Sequence, residues 1–524
     1  MLKFAKAVVD SMGGITAARP ASSPALPVRI NVATLGRFAA VVAQLALVLF
    51  AIYQFKIEEQ SGFTRILGLV FTGFVIHAWL PVNARLPFFF GLTLTGIYLV
   101  FGLVNAVWLI GLSLGLILLA HLPIDYRARI ALIVVAGAGL TVMMAGYYTT
   151  SWSTAILPIL GSMFMFRMAL YLYDMRNEKK PATLFERLSY FFQLPNIVFP
   201  FYPIVDYITF RRTYYDRDAY EIYQKGVLWM LRGVIHLLMY RVVYYYFTPA
   251  VEDIQGLGGV VLFIVSAYLL YLRVSGLFHL IVGLMCLFGF NLPETHKRYF
   301  LASSFNDYWR RINIYWKDFM MKLFFYPVYM RVRNWGNIPA LVFSTVVVFA
   351  CTWLLHSYQW FWLQGDFPLT TVDGVYWGVL GVLVAINSVW ESVSGTKKGK
   401  SLSKKGWTLR GALKLSLKTV STFVFLGLMW SFWSSDSVSE WVSVMKQAGT
   451  SGAGEWLLLL GGLAGLYVVL VVLDVLEAKG WSPFFEERGM SFTTVASRTG
   501  LMALVLVGVG MPQVYERAGE DAAS

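Results

Sequence analysis

Residues 338–362 read IPALVFSTVVVFACTWLLHSYQWFW, a run of 25 residues without Asp, Glu, Lys or Arg. A helix that crosses a bilayer needs about 20 mostly apolar residues, so this run is long enough to span the membrane. It contains one histidine, His356. An ionisable group at membrane depth is costly and is functional by default, so His356 is the first candidate for chemistry.

The composition of the whole chain is that of a membrane protein. Of the 524 residues, 58% are hydrophobic and 14% are charged, whereas soluble domains have about 25% charged residues. The net charge of +14 comes from basic residues in loops beside apolar segments. This pattern is typical of positive-inside topology and of contact with membrane lipids, and no nucleic acid partner is expected. Cys286 and Cys351 lie inside apolar runs and are expected to be small buried hydrophobes.

Fourteen apolar segments are candidate membrane spans. They are 38–55, 66–80, 87–104, 106–120, 130–148, 153–173, 190–208, 226–247, 257–289, 338–362, 372–390, 412–433, 456–476 and 498–511. The segment 190–208 contains Pro195, Pro200 and Pro203. It is therefore predicted to be broken or re-entrant, which requires cover from protein or a water-filled cavity. The sequence predicts an all-α, multipass transmembrane helical bundle.

Two basic segments lie at the borders of these spans. Residues 1–30 are basic and rich in Ala, Ser and Pro, which predicts a flexible cytoplasmic N-terminal tail. Residues 395–418 contain eight Lys and Arg residues and are predicted to form a cytoplasmic loop.

The segment 291–337 is basic and aromatic, and no turn signal interrupts it between Ser303 and Phe325. A continuous helix there would place four polar residues on one stripe: Asn306, Arg310, Asn313 and Lys317. Arg310 and Arg311 suit the phosphates of a nucleotide-like donor. The alternative is a helix among lipid headgroups that extends its cations into water.

Histidine suits acyl transfer because a neutral imidazole can accept the proton that an attacking hydroxyl loses. The amide of Asn313 cannot act as a base, but it can orient the acceptor or donate to a developing oxyanion. The chain has no zinc motif, nucleophile elbow or phosphate-binding loop, and no metal or bound cofactor is predicted. A satisfied core histidine is the alternative for His356 and for the other five histidines.

Four motifs precede His356 in a fixed order. They are YLRVSG at 271–276, FGFNLPE at 288–294, SSFNDYWRR at 303–311 and WKDF at 316–319. Together with a histidine in a later apolar helix, they resemble the membrane-bound O-acyltransferase (MBOAT) family, including its bacterial members of alginate O-acetylation and teichoic acid D-alanylation. The bacterial pattern usually has Trp-His after Trp-Arg-Arg, whereas this chain has Ile312 and Asn313, and Asn is common there in eukaryotic members.

The resemblance implies a ring of helices around a central tunnel, with His356 as general base and Asn313 as the orienting group facing it. It also implies a set of substrate-binding residues: Trp309, Arg310, Arg311, Lys317, Asp318, Asn306, Ser275, Gly276 and His279. The domains implied are N-terminal transmembrane helices at 31–160, an MBOAT-like catalytic core at 161–450, C-terminal transmembrane helices at 451–511 and a tail at 512–524.

The implied donor is an acyl thioester, acetyl among them, on coenzyme A or on an acyl carrier protein, entering from the cytoplasm. The implied acceptor is a hydroxyl of a cell-envelope glycan or another extracytoplasmic molecule. Direct transfer is expected, and an extracytoplasmic esterase-like (SGNH-type) transferase is a further expected partner. The expected location is the bacterial inner membrane.

Two other functions fit the same composition. One is a transporter or flippase in which His356, Arg273 and Arg232 line the path, although no internal repeat favours it. The other is a membrane scaffold without catalysis, which would tolerate the loss of His356.

Overall fold

The computed structural model describes residues 32–57, 61–148, 150, 152–164, 166–176, 181–200, 202–394, 407–481 and 490–523. In this part of the chain the regular secondary structure is helical, and the one extended pairing is an isolated antiparallel bridge between Tyr214 and Phe290. The predicted all-α fold is confirmed. The predicted tail 1–30 lies outside the described residues, as do five of the eight basic residues in the predicted loop 395–418.

The described residues form twenty α-helices. In chain order they are α1 (Val32–Gln54), α2 (Ser61–His77), α3 (Val82–His121), α4 (Tyr126–Met144), α5 (Ile156–Phe164), α6 (Arg167–Met175), α7 (Leu184–Phe191), α8 (Tyr207–Arg212), α9 (Ala219–Val242), α10 (Gly256–Leu269), α11 (Leu272–Leu287), α12 (Phe305–Arg311), α13 (Ile314–Met320), α14 (Tyr326–Val332), α15 (Asn337–Gln364), α16 (Thr371–Val393), α17 (Leu409–Trp433), α18 (Val438–Lys446), α19 (Ala453–Ala478) and α20 (Phe492–Ala523).

Ten segments of this part of the chain are long and apolar enough to cross a membrane. They are α1, α3, α4, α9 with the π-helical turn that follows it, α10 together with α11, α15, α16, α17, α19 and the first 19 residues of α20. α2 is apolar but shorter. The chain is therefore a multipass integral membrane protein, as predicted.

Helix α3 consists of two apolar halves. At Gly102 the backbone leaves helical geometry, with φ 75° and ψ 172°. A straight helix of 40 residues would measure about 60 Å, twice the thickness of the hydrocarbon core. The predicted spans 87–104 and 106–120 correspond to these two halves.

Two predicted spans are broken in the structure. The span predicted at 153–173 is divided into α5 and α6, so it is not one continuous helix. The span predicted at 190–208 contains the end of α7, a 3₁₀ turn at Leu194–Ile197 and the start of α8, in agreement with its three prolines. Its backbone is covered by protein, because the buried Arg167 donates to the carbonyl of Phe191 at 2.8 Å.

The expected continuous helix from Ser303 to Phe325 is wrong. α12 ends at Arg311, Ile312 is extended (φ −85°, ψ 136°), and Asn313 adopts the left-handed conformation (φ 36°, ψ 63°) before α13 begins. The single polar stripe is therefore divided between two helices. The physical reason is the cap: the side chain of Asn313 accepts from the N–H of Trp316 at 3.2 Å, which starts a new helix.

Contacts between helix termini show which helices run in the same direction. At the start of α1, Arg37 lies 3.8 Å from Asp218, which caps the start of α9, and its guanidinium lies over Phe492 at the start of α20. At the far end of α9, Arg241 donates to the carbonyl of Phe55, just after α1. α1 and α9 are therefore parallel, with α20 starting beside them.

Helices α9 and α11 are antiparallel and unusually close. A Cβ atom added to Gly283 would lie 2.6 Å from the carbonyl oxygen of Gly226, and one added to Gly276 would lie 3.0 Å from that of Gly233. Small residues allow the backbones of membrane helices to approach each other in this way. The end of α11 therefore lies beside the start of α9.

Ion pairs place the remaining helices relative to this end. Arg298, which follows α11, pairs with Glu477 in the last turn of α19 at 2.8 Å. Trp407, just before α17, donates to Asp474 of α19 at 3.1 Å. The starts of α1, α9 and α17 and the ends of α11 and α19 thus share one end of the bundle. We name it the basic end, because Arg410, Lys414 and Lys418 lie in the first turns of α17, and we name the other the opposite end.

The structure adds two details to the C-terminal half. Helix α20 continues to Ala523, so most of the predicted tail 512–524 is helical. Arg410, Lys414 and Lys418 lie on α17 rather than in the predicted loop.

Candidate functional site

His356 lines a cavity of about 170 Å³ at the opposite end of the bundle. The cavity lies where α15 and α17 end and α16 begins. Four of its nine lining residues are tryptophan, and the full lining is Trp353, His356, Ser357, Trp360, Gln364, Pro368, Asp373, Trp377 and Trp433. His356 itself is half-buried, eight residues before the end of α15, or about 12 Å along the helix axis.

Three indole rings surround the imidazole of His356. Trp377 stacks on it with ring centroids 4.8 Å apart and planes at 24°, and Trp316 approaches at 5.2 Å and 52°. Trp433 meets it edge-on at 6.4 Å. The face of an indole attracts a cation, so these rings favour a positive charge on the imidazole when it accepts a proton.

A carboxylate completes the wall of the cavity. Asp373 accepts from the indole N–H of Trp433 at 2.6 Å and from the hydroxyl of Thr370 at 2.5 Å. Thr370 in turn caps α16 by accepting from the N–H of Asp373 at 3.0 Å. Among the described residues, no Lys or Arg pairs with Asp373 or lines the cavity.

Local sequence explains why these side chains meet. Gly365 ends α15 in the left-handed conformation (φ 87°), with its N–H bonded to the carbonyl of Phe361 at 2.8 Å. The pattern Thr370-x-x-Asp373 then starts α16 after a connection of six residues. The last twelve residues of α15 and the first seven of α16 therefore face each other across the cavity.

The second predicted catalytic residue, Asn313, is not among the residues that line this cavity. Its side-chain oxygen caps α13 through the N–H of Trp316, and the ring of Trp316 contacts His356. Asn313 is thus linked to the site through one residue. The buried indole N–H of Trp316 has no hydrogen-bond partner in the described part of the chain, and such an orphan donor needs an explanation.

The predicted donor-binding residues of α12 form contacts at the basic end. Arg310 pairs with Glu391 at 2.9 Å, and Arg311 pairs with Asp307 at 2.8 Å. The buried Asn306 accepts from Ser388 at 3.2 Å. These side chains tie α12 to the end of α16, and their role toward a donor stays a prediction.

Three further predicted residues lie nearer to His356. Trp309 packs against Phe349 of α15 with ring centroids 4.7 Å apart. Lys317 pairs with the neighbouring Asp318 at 2.7 Å.

Ser275, Gly276 and His279 lie elsewhere, in a buried cluster between α9, α11 and the following segment. His279 stacks near His236 (5.2 Å) and His296 (6.0 Å). Its Nδ1 lies 2.6 Å from the carbonyl oxygen of Ser275. Because a carbonyl only accepts, Nδ1 carries the proton and the buried Nε2, which has no partner among the described residues, presents a lone pair.

The rest of this cluster is hydrogen-bonded. The hydroxyl of Ser275 contacts Nδ1 of His236 at 3.0 Å, and Nε2 of His296 contacts the hydroxyl of Tyr271 at 3.0 Å. Burial lowers the pKa of His296 to about 3, so that imidazole is neutral. The structure therefore separates the predicted substrate-binding residues into the basic-end group, the three residues nearer to His356 and this histidine cluster.

The two arginines of the transport hypothesis lie on α9 and α11, the helices that carry His236 and His279. Arg232 pairs with Glu294 at 3.3 Å, and Arg273 lies over the ring of Tyr240 at 5.6 Å. Neither lines the cavity at His356. Of the two remaining histidines, His77 is buried between Phe88 and Phe288, and His121 contacts the hydroxyl of Tyr171 at 2.8 Å.

Asp373 and Trp377 were missed by the sequence analysis. The signal for Asp373 was the helix-start pattern Thr370-x-x-Asp373, which predicts a cap but not a cavity wall. The signal for Trp377 was one helical turn of spacing from Asp373, which is useful only once the direction of α16 is known.

The chain was compared with known proteins at the level of families and of curated sequences. No family model matches it, and no curated protein matches it.

Proposed function

We propose that this protein is a membrane-embedded O-acyltransferase in which His356 is the general base. The observation that carries the proposal is the placement of His356: a half-buried imidazole in a membrane-spanning helix that lines a cavity, enclosed by indole rings and next to a carboxylate. The likeness of the four motifs to the MBOAT family supports the same function.

The reaction would proceed by proton transfer to the imidazole. The acceptor hydroxyl loses its proton to His356 while its oxygen attacks the thioester carbonyl carbon. The C–S bond then breaks, and the leaving thiolate takes the proton from the imidazolium. Trp377, Trp316 and Asp373 favour the transient positive charge, since each places an indole face or a carboxylate beside the ring or the cavity.

An oxyanion forms at the carbonyl during the attack and needs a hydrogen-bond donor. The indole N–H of Trp316 is available because it has no partner among the described residues. The amide nitrogen of Asn313 is a second candidate, since its oxygen is occupied by the cap. Trp316 lies in the first turn of α13 and Asn313 is the residue that caps this helix, so the two donors are three residues apart.

The donor and the acceptor would approach from different ends of the bundle. Arg298, Arg310 and Arg311 lie at the basic end, which suits a thioester donor with phosphate groups, on coenzyme A or on a carrier protein. The cavity lies at the opposite end, which by the positive-inside rule is extracytoplasmic. This arrangement suits an extracytoplasmic acceptor and, in a bacterium, the inner membrane.

The first experiment measures thioester cleavage of labelled acetyl-coenzyme A, and then of an acyl carrier protein thioester, by the purified protein in detergent. We expect His356→Ala and the better-packed His356→Gln to lose at least about a hundredfold in turnover, because general-base catalysis contributes that much. The matched control is His121→Gln, which removes a histidine outside the cavity and keeps a partner for Tyr171.

One result would contradict the proposed role of His356. If His356→Gln remains folded and turns over at the wild-type rate while the wild type is active, His356 is not the base. If the folded variant supports the cell as well as the wild type does, the scaffold function is favoured instead.

A further inference from the structure

The cavity at His356 combines aromatic walls with one unpaired carboxylate. Four of its nine lining residues are tryptophans, Asp373 is the carboxylate, and none is Lys or Arg. Among the described residues Asp373 accepts hydrogen bonds from Trp433 and Thr370, but no cation neutralises it. A fixed negative charge inside a tryptophan box attracts an organic cation.

The volume and the charge of the cavity agree with a small ammonium group. The cavity volume of about 170 Å³ is close to that of engineered cavities of about 150 Å³ that hold one benzene ring. A trimethylammonium group is of that order, and its methyl groups have no need of hydrogen-bond acceptors. An anionic ligand would meet Asp373 at close range without any compensating charge, so it is disfavoured.

The cavity also lies at the level where an ammonium group would be found. It is built from the last twelve residues of α15, the connection 365–370, the first two turns of α16 and the last residue of α17. The ends of membrane-spanning helices lie near the polar headgroup region of a bilayer. Tryptophan at such depth is common as an interface anchor, but here Trp353, Trp377 and Trp433 face a cavity and not only the membrane surface.

We propose that this cavity binds an organic ammonium group, held by the indole faces and by the carboxylate of Asp373. Taken with the proposed function, on which this step rests, the acceptor is then a hydroxyl-bearing ammonium compound whose cation occupies the tryptophan box while its hydroxyl reaches His356. The ammonium group comes from a free solute such as choline or from a lipid headgroup that contains it.

The test is binding of choline to the purified full chain by isothermal titration calorimetry, in a detergent without ammonium groups. The matched ligand is 3,3-dimethylbutan-1-ol, which has the shape of choline with carbon in place of the charged nitrogen. We expect saturable choline binding that is about tenfold or more tighter than that of the neutral analogue. Equal or tighter binding of the neutral analogue, or displacement of choline by glucose, would overturn the proposal.

Two variants locate the binding site. Asp373→Asn keeps acceptors for Trp433 and Thr370 but removes the charge, and we expect it to lose about tenfold in choline affinity. Its control is Asp366→Asn, an exposed carboxylate seven residues earlier that does not line the cavity, and its affinity should be unchanged. If Asp373→Asn does not fold, Trp360→Leu removes one indole wall and serves the same purpose. Unchanged affinity in the folded cavity variant would overturn the proposal.

One comparison identifies the source of the ammonium group, and another tests this inference separately from the proposed function. Weaker choline binding in nanodiscs of phosphatidylcholine than in nanodiscs of phosphatidylglycerol would identify a lipid headgroup as the ligand, and equal binding would identify a free solute. Choline binding that survives in a protein without thioester turnover would refute the proposed function and leave this inference standing. Turnover without choline binding would refute this inference and leave the proposed function standing.

Discussion

At the scale of single residues, the neighbours of His356 determine how well its imidazole holds a proton. The closest ring is that of Trp377, stacked at 4.8 Å. A cation–π contact contributes about 0.5–2 kcal/mol, so its loss should be visible in the rate of a reaction that forms an imidazolium.

We therefore expect Trp377→Phe to lower thioester turnover by a few fold and Trp377→Leu to lower it by about tenfold. The measurement is the initial rate at saturating donor. The control is Trp390→Leu on the same helix, whose side chain is 73% exposed and faces away from the site. A Trp377→Leu protein as fast as the wild type would show that the stacking does not assist catalysis.

Asn313 offers a separate test, because its oxygen and its amide nitrogen have different roles. Asn313→Asp keeps the oxygen that caps Trp316 and tolerates the left-handed backbone, but it removes the donor. If the amide stabilises the oxyanion, we expect turnover to fall by about a hundredfold or more while the melting temperature stays near that of the wild type. Full activity in Asn313→Asp, with a loss of stability in Asn313→Ala, would show that Asn313 acts only as the cap of α13.

The sequence singled out His356 as a candidate but did not reveal the residues that surround it. His356 was found because a lone histidine in an apolar run of 25 residues is a local signal. Asp373 and Trp433 are 17 and 77 residues away along the chain, and they reach the cavity only because α15, α16 and α17 meet at one end. Asn313 was assigned to a helical stripe because spacing alone does not reveal that its side chain starts a new helix.

At the scale of helices, the contact between α9 and α11 depends on glycine. We expect Gly283→Ala to destabilise the folded protein by about 1–3 kcal/mol, because its Cβ would clash with the carbonyl of Gly226 and with the backbone of Met230. The readout is the apparent melting temperature in detergent. Gly378→Ala is the control, since a Cβ there meets open space.

The same substitution at Gly276 separates packing from substrate binding. Its Cβ would contact Leu237 at 2.8 Å as well as the carbonyl of Gly233. We expect a lower melting temperature and an activity per folded molecule close to that of the wild type. A drop in activity without a drop in melting temperature would instead support the substrate-binding role predicted for Gly276.

Helix type was predictable from the sequence, but the fourteen candidate spans exceed the ten long apolar segments of the described residues, because most interruptions were not predictable. Apolar length predicts a span, so α1, α15, α16, α17 and α19 were found with errors of a few residues. The division of 153–173 into α5 and α6 has no proline or glycine at the break itself, and depends on the buried surroundings of residues such as Arg167. In contrast, the prolines of 190–208 predict the interruption of that segment directly, because proline breaks a helix.

At the scale of the whole molecule, the two ends of the bundle should lie on different sides of the membrane. In a chain with Cys286 and Cys351 replaced by Ala, we expect Asp366→Cys to react with a membrane-impermeant maleimide in intact cells. Ser394→Cys, at the other end of α16, should react only after permeabilisation. The reverse pattern would place the cavity in the cytoplasm and would exclude an extracytoplasmic acceptor.

Under the proposed function, the volume of the cavity beside His356 has a consequence for hydrolysis of the donor, because a cavity of about 170 Å³ has room for water. A general base does not distinguish the O–H of an alcohol from that of water, so water admitted to an acceptor-free cavity competes for the acyl group. Under the proposed function, each such event would waste one activated thioester as a free acid. Under the same function, the balance between this hydrolysis and acceptor entry would determine how many thioester molecules are consumed for each acceptor that is acylated.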